Sequence, residues 1–377
     1  MKKLLILGAG QMQVPIIALA KKKGYYTVVA DYDPQAPGFK YADVASTTST
    51  IDKEAVLKLA EAEKVDGLLT TSDYPVRVVS YVSEKLGLPA MTQRVAEVCT
   101  NKYEQRKLFK DKGINTPFFL LCSSESDVSD LNQFPYIVKP VDSSASRGVE
   151  KVHNQEQLRN AIKIACDMSR TGNAIVESFI GGKEFSVETL TQNGITHIIQ
   201  ITEKLTRGEE QGYFVEDTHI EPARINEEES NAIRCEVLKA AKAVGINNCP
   251  THTEIKLWNG KPYIIEMACR LGGDYITSDL VPLSTGISMM ENLIKISLGE
   301  SIDTEVKFNK WSCVQFLNEG NYYRCQDFIK TNDTHIRKSE VDEYKDGVIK
   351  SSLDRLGYVV FQADTRKEIE DILTKIK

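Results

Sequence analysis

Two glutamates, Glu254 and Glu266, lie twelve residues apart in THTEIKLWNGKPYIIEMACRLGG, on either side of an Asn259-Gly260 pair set between two apolar runs. Asn-Gly between such runs signals a β-hairpin. A carboxylate on each arm of a buried hairpin is costly unless a cation sits between them. Magnesium holding nucleotide phosphates meets that demand, because it is a hard ion satisfied by one or two carboxylates plus phosphate oxygens. Both glutamates have even numbers, so they share a face only if the connecting loop has an odd residue count. The expectation is a three-residue loop with Gly260 in the left-handed position, since a strict two-residue turn would set the carboxylates on opposite faces. Ile255, Ile264, Ile265 and Met267 argue against a solvated surface hairpin. Arg270 and the pair Gly272-Gly273 follow at once.

A second set of residues lies upstream. Lys139 ends the apolar segment Tyr136-Ile-Val-Lys139-Pro140, directly before a loop of small residues that includes Ser143, Ser144, Ser146 and Gly148. A lysine there reaches phosphates as a point charge, and small residues let backbone N–H groups approach phosphate oxygens. In IVESFIGGKE, backbone beside an apolar strand offers hydrogen bonds to an adenine edge, and Glu184 offers a carboxylate to ribose hydroxyls. At the N-terminus, Gly8-x-Gly10 lies between a strand and a helix, and Asp31 ends the second strand, as in dinucleotide-binding turns. Gln13 stands where the third glycine belongs and would crowd helix against strand, which disfavours nicotinamide binding.

These residues need a scaffold. Strand and helix patterns alternate over the first 86 residues, with strands at 3–7, in YYTVVADYDP and in DGLLTTSD, which indicates a parallel sheet with helices on its faces. A helix opening at Asn101-Lys102 and closing at Gly113 marks a boundary near residue 100. Strands are expected at 118–122, 135–140, 174–178 and 184–191, helices at 154–168 and 227–244, and a long polar loop at 203–222. From about 301 a smaller α+β module ends in GYVVFQAD and a helix opened by a Thr365-x-x-Glu368 capping box. The organisation is thus residues 1–100, 101–300 with a mobile lid at about 118–185, and 301–377.

Composition narrows the partners. A chain of 377 residues holds two or three domains with ample core. A formal charge of −6 argues against sequence-independent nucleic-acid binding, which rests on a basic surface. No run reaches transmembrane length, and the apolar stretch of MKKLLILGAG is short for a secretory signal. Eight cysteines without a C-x-x-C read as reduced thiols in a cytoplasmic protein. Cys269, between Glu266 and Arg270, reads as a buried structural thiol rather than a nucleophile.

The ordered set Lys102, Lys139, small-residue loop, Glu177, Glu184, Glu254, Glu266, Arg270 resembles the ATP-grasp superfamily, carried by NKYEQRKLFKDKGINTP, PYIVKP, VESFIGGKEFSVE, HTEIK and IIEMACRLGGD. The N-terminal segment is similar to the Rossmann-like domain that precedes ATP-grasp folds in carboxylate–amine ligases. The resemblance covers about residues 1–300 and implies an α/β architecture: a Rossmann-like domain, two α+β lobes and a small C-terminal module. It implies that Lys102 and Lys139 contact ATP phosphates under the 143–149 loop. Glu177, Phe179 and Ile180 would lie at the adenine, Glu184 at the ribose, and Glu254 and Glu266 at magnesium (or manganese). Arg270 would stabilise an acyl-phosphate and its tetrahedral successor. The family pattern Glu-x-Asn-x-Arg is broken here by Ala268, which removes one metal ligand and is the feature that favours a non-catalytic ATP-binding protein. The implied activity is amide formation on an amino acid or similar small carboxylate, with a purine-pathway synthetase or carboxylase as the alternative. Candidate substrate contacts are Asp73, Tyr74, Glu216, His219, His252, Arg270 and Asp274; homodimerisation is an expectation from the family alone.

Overall fold

The computed structural model describes residues 1–377 except 125–127, 145–146, 210–213, 332 and 350. Strands β1 (Lys3–Leu7), β2 (Tyr26–Ala30), β3 (Val44–Ser46) and β4 (Gly67–Thr70) form a parallel sheet in the order β3-β2-β1-β4. The three-residue β3 is absent from the sequence reading because nothing so short carries a period. Gly8 turns at φ +102°, and Gln13 packs over it, its amide 3.4 Å from the hydroxyls of Thr71 and Ser72. Asp31 spends its carboxylate on the backbone N–H groups of Ala9 and Asp33, so this glycine turn holds itself together with the acid that a dinucleotide ribose would need.

The second sheet is antiparallel, in the order β5-β8-β6-β7: β5 (Phe119–Cys122), β6 (Tyr136–Pro140), β7 (Glu150–Val152) and β8 (Ala174–Ser178). The helix Gln155–Met168 covers it, burying Leu158, Ala161, Ile162 and Ala165 against Val138 and Val176.

The third sheet has eight antiparallel strands in the order β13-β12-β9-β10-β11-β14-β16-β15. They are β9 (Lys183–Gln192), β10 (Ile195–Arg207), β11 (Val215–Glu221), β12 (Cys249–Trp258), β13 (Lys261–Ala268), β14 (Trp311–Phe316), β15 (Ile336–Val341) and β16 (Gly357–Ala363). The polar stretch 203–222, expected as a loop, is therefore mostly strand. Its polarity has another origin: Glu203, Lys204, His219 and Glu221 are buried among partners rather than solvated. The helix Glu227–Val244 starts in a capping box between Asn226 and Glu229 and ends at Gly245 in the left-handed region. Its apolar stripe, Ile233, Val237, Ala240 and Ala241, packs in one core with Phe185, Val187, Ile255 and Met267. The terminal strands extend this same sheet, because β14 pairs with β11 from Thr218↔Gln315 to Glu221↔Ser312. No helix among the described residues is long and apolar enough to cross a membrane.

Candidate active site

The hairpin solves its parity problem in the strand, not in the loop. Trp258 pairs with Lys261, so Asn259 and Gly260, at φ +51° and +73°, form the two-residue turn that sequence reasoning rejected. Ile255 still faces Ile264, but Glu254 faces Glu266, so Ile265 is the extra residue of a β-bulge. The bulge returns both carboxylates to one face. Its carbonyl is taken by Arg106 Nη2, and the adjacent Met267 exchanges two hydrogen bonds with the Gln105 side chain. The helix Lys102–Asp111, capped by Asn101, thus fixes the bulge from behind.

Register then gathers the polar face of the sheet into three rungs. One holds Ala268, His252, Glu188 and Gln200; the next Glu266, Glu254, Ser186 and Thr202; the third Lys256, Glu184, Lys204 and His219. The intervening residues Phe185, Val187, Ile201, Ile255 and Leu257 point into the core.

Each carboxylate of these three rungs is matched by a cation. Lys204, 5 % exposed, sits 2.9 Å from both Glu184 and Glu254 and 3.8 Å from Glu216. Burial works to lower the Lys204 pKa, but the charges of Glu254, Glu184 and Glu216 outweigh it and hold it well above the usual lysine value. Burial likewise opposes ionisation of Glu254, yet Lys204 and His252 hold its carboxyl well below the usual range. Lys102 reaches Glu266 at 3.0 Å and the Ser143 carbonyl at 2.7 Å, tying the small-residue loop to the hairpin. Ser144 and Gly148 lie on the same loop, Gly148 at φ +71° against Pro140 and Met168; Ser146 lies outside the described residues.

A scan against family models matches residues 132–279 to an ATP-grasp domain. Those residues are thus similar to an ATP-grasp domain. The chain is 26% identical over 285 residues to the alanine–anticapsin ligase of Bacillus subtilis (strain 168), covering 68% of this chain and 59% of that protein. It is 26% identical over 255 residues to the formate-dependent phosphoribosylglycinamide formyltransferase of Bacteroides thetaiotaomicron, covering 65% of each. The matched stretch thus spans about six-tenths of these relatives. Among solved structures, the L-amino acid ligase from Bacillus licheniformis superposes with a TM-score of 0.82 at 24% identity, covering 100% of this chain and 98% of that one.

Within the matched residues, Glu177 is enclosed between two cations. Its carboxylate is 2 % exposed, with Lys139 Nζ at 2.7 Å and Arg106 Nε at 2.7 Å, the arginine acting through charge because its N–H is not aligned for a hydrogen bond. Burial opposes ionisation of Glu177, but the two cations hold its pKa below the usual value. A carboxylate so enclosed is positioned to aim Lys139. Phe179 donates its N–H to the Pro135 carbonyl and carries Lys151 3.8 Å above its ring, while Ile180 is buried beside it. Glu184 binds Lys204 and Lys256 at 2.9 and 3.1 Å.

The remaining candidates divide into two groups. Arg270 pairs with Asp73, and His252 pairs through Nδ1 with Glu188. Burial works against protonation of His252, but the Glu188 charge outweighs it and raises the pKa to about 9. Asp274, at φ +49°, shares Arg355 with Glu216 at 2.9 and 3.0 Å, and His219 lies 3.8 Å from Asp274. Tyr74 is stacked under Arg170. Sequence reasoning missed Arg106, Glu188, Lys204, Lys256 and Arg355. The alternations Glu184-x-Ser186-x-Glu188, Thr202-x-Lys204 and Glu254-x-Lys256 carried the signal for three of them; Arg106 and Arg355 had none.

The chemistry of Glu254 and Glu266 fits magnesium. They are two carboxylates directly opposed on one face, each about 30 % exposed at the cleft and each now satisfied by an exchangeable lysine contact. Ala268 offers no side-chain donor, and no cluster of three or more His, Cys, Asp or Glu suited to a metal exists among the described residues. Two protein ligands leave the remaining positions to phosphate oxygens and water, which is how magnesium is usually held beside nucleotides.

Proposed function

We propose that the protein is an ATP-dependent carboxylate–amine ligase acting on an amino acid or similar small carboxylate. The observation that carries this reading is the bulge that sets Glu254 and Glu266 side by side within reach of Lys102 and Lys204. Glu254 and Glu266 would hold magnesium, which would neutralise charge on the phosphate oxygens. Lys102 and Lys139 bind those oxygens as point charges, and the 143–149 loop closes over them. Glu184, beside Lys204 and Lys256, accepts from ribose hydroxyls in this reading. The substrate carboxylate attacks the γ-phosphate, forming the new C–O–P linkage as ADP leaves; an amine then adds to the acyl carbon and phosphate departs. Arg270 places positive charge where negative charge develops in both steps. The protein's task is mainly positioning and the exclusion of water from the acyl-phosphate.

Similarity to an alanine–anticapsin ligase and an L-amino acid ligase supports an amino acid as the carboxylate. The test is release of ADP and phosphate with ATP, magnesium and a panel of amino-acid pairs. Release that depends on a particular pair and vanishes in Glu266→Ala establishes the ligase. Release with a phosphoribosyl amine and not with any amino-acid pair would replace this reading by the purine-pathway one.

A further inference from the structure

Arg270 carries five N–H donors and no acceptor. Three are spent inside the protein. Nε donates to Asp73 Oδ1 at 2.7 Å, Nη2 to Asp73 Oδ2 at 3.2 Å, and Nη1 to the Leu271 carbonyl at 2.9 Å. Asp73 therefore occupies the side edge of the guanidinium in the two-pronged arrangement that fixes the plane of the group. One N–H on each terminal nitrogen has no partner among the described residues. The free N–H of Nη2 belongs to the end edge, because its other N–H is spent on Asp73, so the open donors of the group face away from Asp73.

Asp73 is itself held by a rigid element. It follows β4, where Thr70 donates its hydroxyl to the Leu7 carbonyl at 2.8 Å and accepts the Ser72 N–H at 3.1 Å. Its own carbonyl accepts from Val76 N, at the start of the helix Val76–Leu86. Its neighbour Tyr74 lies 4.3 Å from the guanidinium of Arg170 and 5.6 Å from that of Arg147, both on the lobe that carries β5 to β8. One dipeptide at the end of β4 thus touches both the arginine and the lobe that would close over ATP.

We propose that Asp73 is a positioning residue for the ligase reaction. It leaves the donors of Arg270 that point away from Asp73 to face the acyl-phosphate and the tetrahedral species that follows. A carboxylate beside an anion-binding arginine looks counterproductive, because it cancels part of the charge that attracts the substrate. The cancellation applies equally to the ground state and the transition state. The fixed direction does not: it favours the geometry in which charge develops on oxygens in line with those free donors. The role therefore belongs to kcat rather than to binding.

This inference rests on the ligase reading, and the test separates the two. In a double-mutant cycle of Asp73→Ala and Arg270→Ala, followed by pair-dependent ADP release, Asp73→Ala lowers kcat by roughly 10- to 100-fold. KM for ATP stays within about two-fold. The double variant is no slower than Arg270→Ala alone, because Asp73 acts only through the arginine. Additive losses, a change confined to KM, or a fully active Asp73→Ala enzyme would overturn the proposal. A second measurement does not need turnover. In arginine-labelled protein, the Arg270 Nε–H resonance, identified by its loss in Arg270→Lys, exchanges slowly in wild type and quickly in Asp73→Ala. A wild-type resonance without protection overturns the pairing. A wild-type enzyme that releases no ADP with any amino-acid pair defeats the ligase reading instead, and with it the catalytic part of the role.

Discussion

Replacing Glu177 by glutamine tests the claim that this carboxylate exists to hold Lys139. Glu177 lies 2.7 Å from Lys139 Nζ and 2.7 Å from Arg106 Nε, all three side chains almost wholly buried. At an effective dielectric near 20, unit charges about 4 Å apart attract by about 4 kcal/mol, so the carboxylate draws on roughly 8 kcal/mol of attraction. Several kcal/mol of that is offset by the cost of burying the carboxylate itself, and the variant leaves two cations facing each other. The net loss falls at about 3–5 kcal/mol, the range for removing one partner of a buried pair. Urea denaturation should show that loss, and thermal denaturation a drop of about 4–6 °C. Burial already lowers the Lys139 pKa against the pull of Glu177; without that charge it falls further and the ammonium loses its anchor. ATP affinity, measured by calorimetry, should weaken by at least about ten-fold, the value of 1.4 kcal/mol. Glu177→Gln with stability within about 1 kcal/mol of wild type and unchanged ATP affinity would refute the argument.

Glu266→Ala should abolish pair-dependent ADP release while the protein remains folded by circular dichroism, since its carboxylate is about 30 % exposed at the cleft and its loss strands no deeply buried charge. Glu221 is buried between Thr202 and Ser284, and burial raises its pKa from 4.5 to about 8. The folded state then holds a proton that the unfolded state releases, so this residue makes stability fall between about pH 4.5 and 8. Glu221→Gln should flatten that part of a Tm-against-pH curve. His252 has its pKa raised, so its contribution is complete below about 6.5 and disappears as pH rises through about 9; His252→Gln should remove the loss over that window. Arg355→Ala strips Glu216 and Asp274 of their shared cation. Its KM for the amino-acid substrate should rise by about ten-fold, the worth of a charge-assisted hydrogen bond, with KM for ATP little changed.

The sequence displayed the residues better than it displayed the way they meet. Glu254, Glu266, Lys139 and Arg270 were legible because charged groups stand out against apolar strands. The helices at 154–168 and 227–244 were legible because period and caps agree there. The bulge at Ile265 was not, since an extra residue in a strand leaves no compositional mark; its cause is the distant Arg106 and Gln105, which satisfy the backbone around it. Strands β10 and β11 were hidden for a related reason. A strand lining a charged cleft reads as a solvated loop until its partners are known. Arg355 comes from a module whose sequence shows no link to the site, and only sheet pairing brings it there.

That pairing also fixes what can be cut away. β14 covers β11 along Thr218 to Glu221, and β16 covers β14. A chain stopped before Trp311 would turn β11 from an interior strand into an open edge. Ile220 and Val215, now enclosed with Cys313 and Phe361, would lie beside a row of unpaired amides. Such an edge recruits other strands, so a truncated protein would be expected to associate with itself rather than survive as a smaller nucleotide-binding unit.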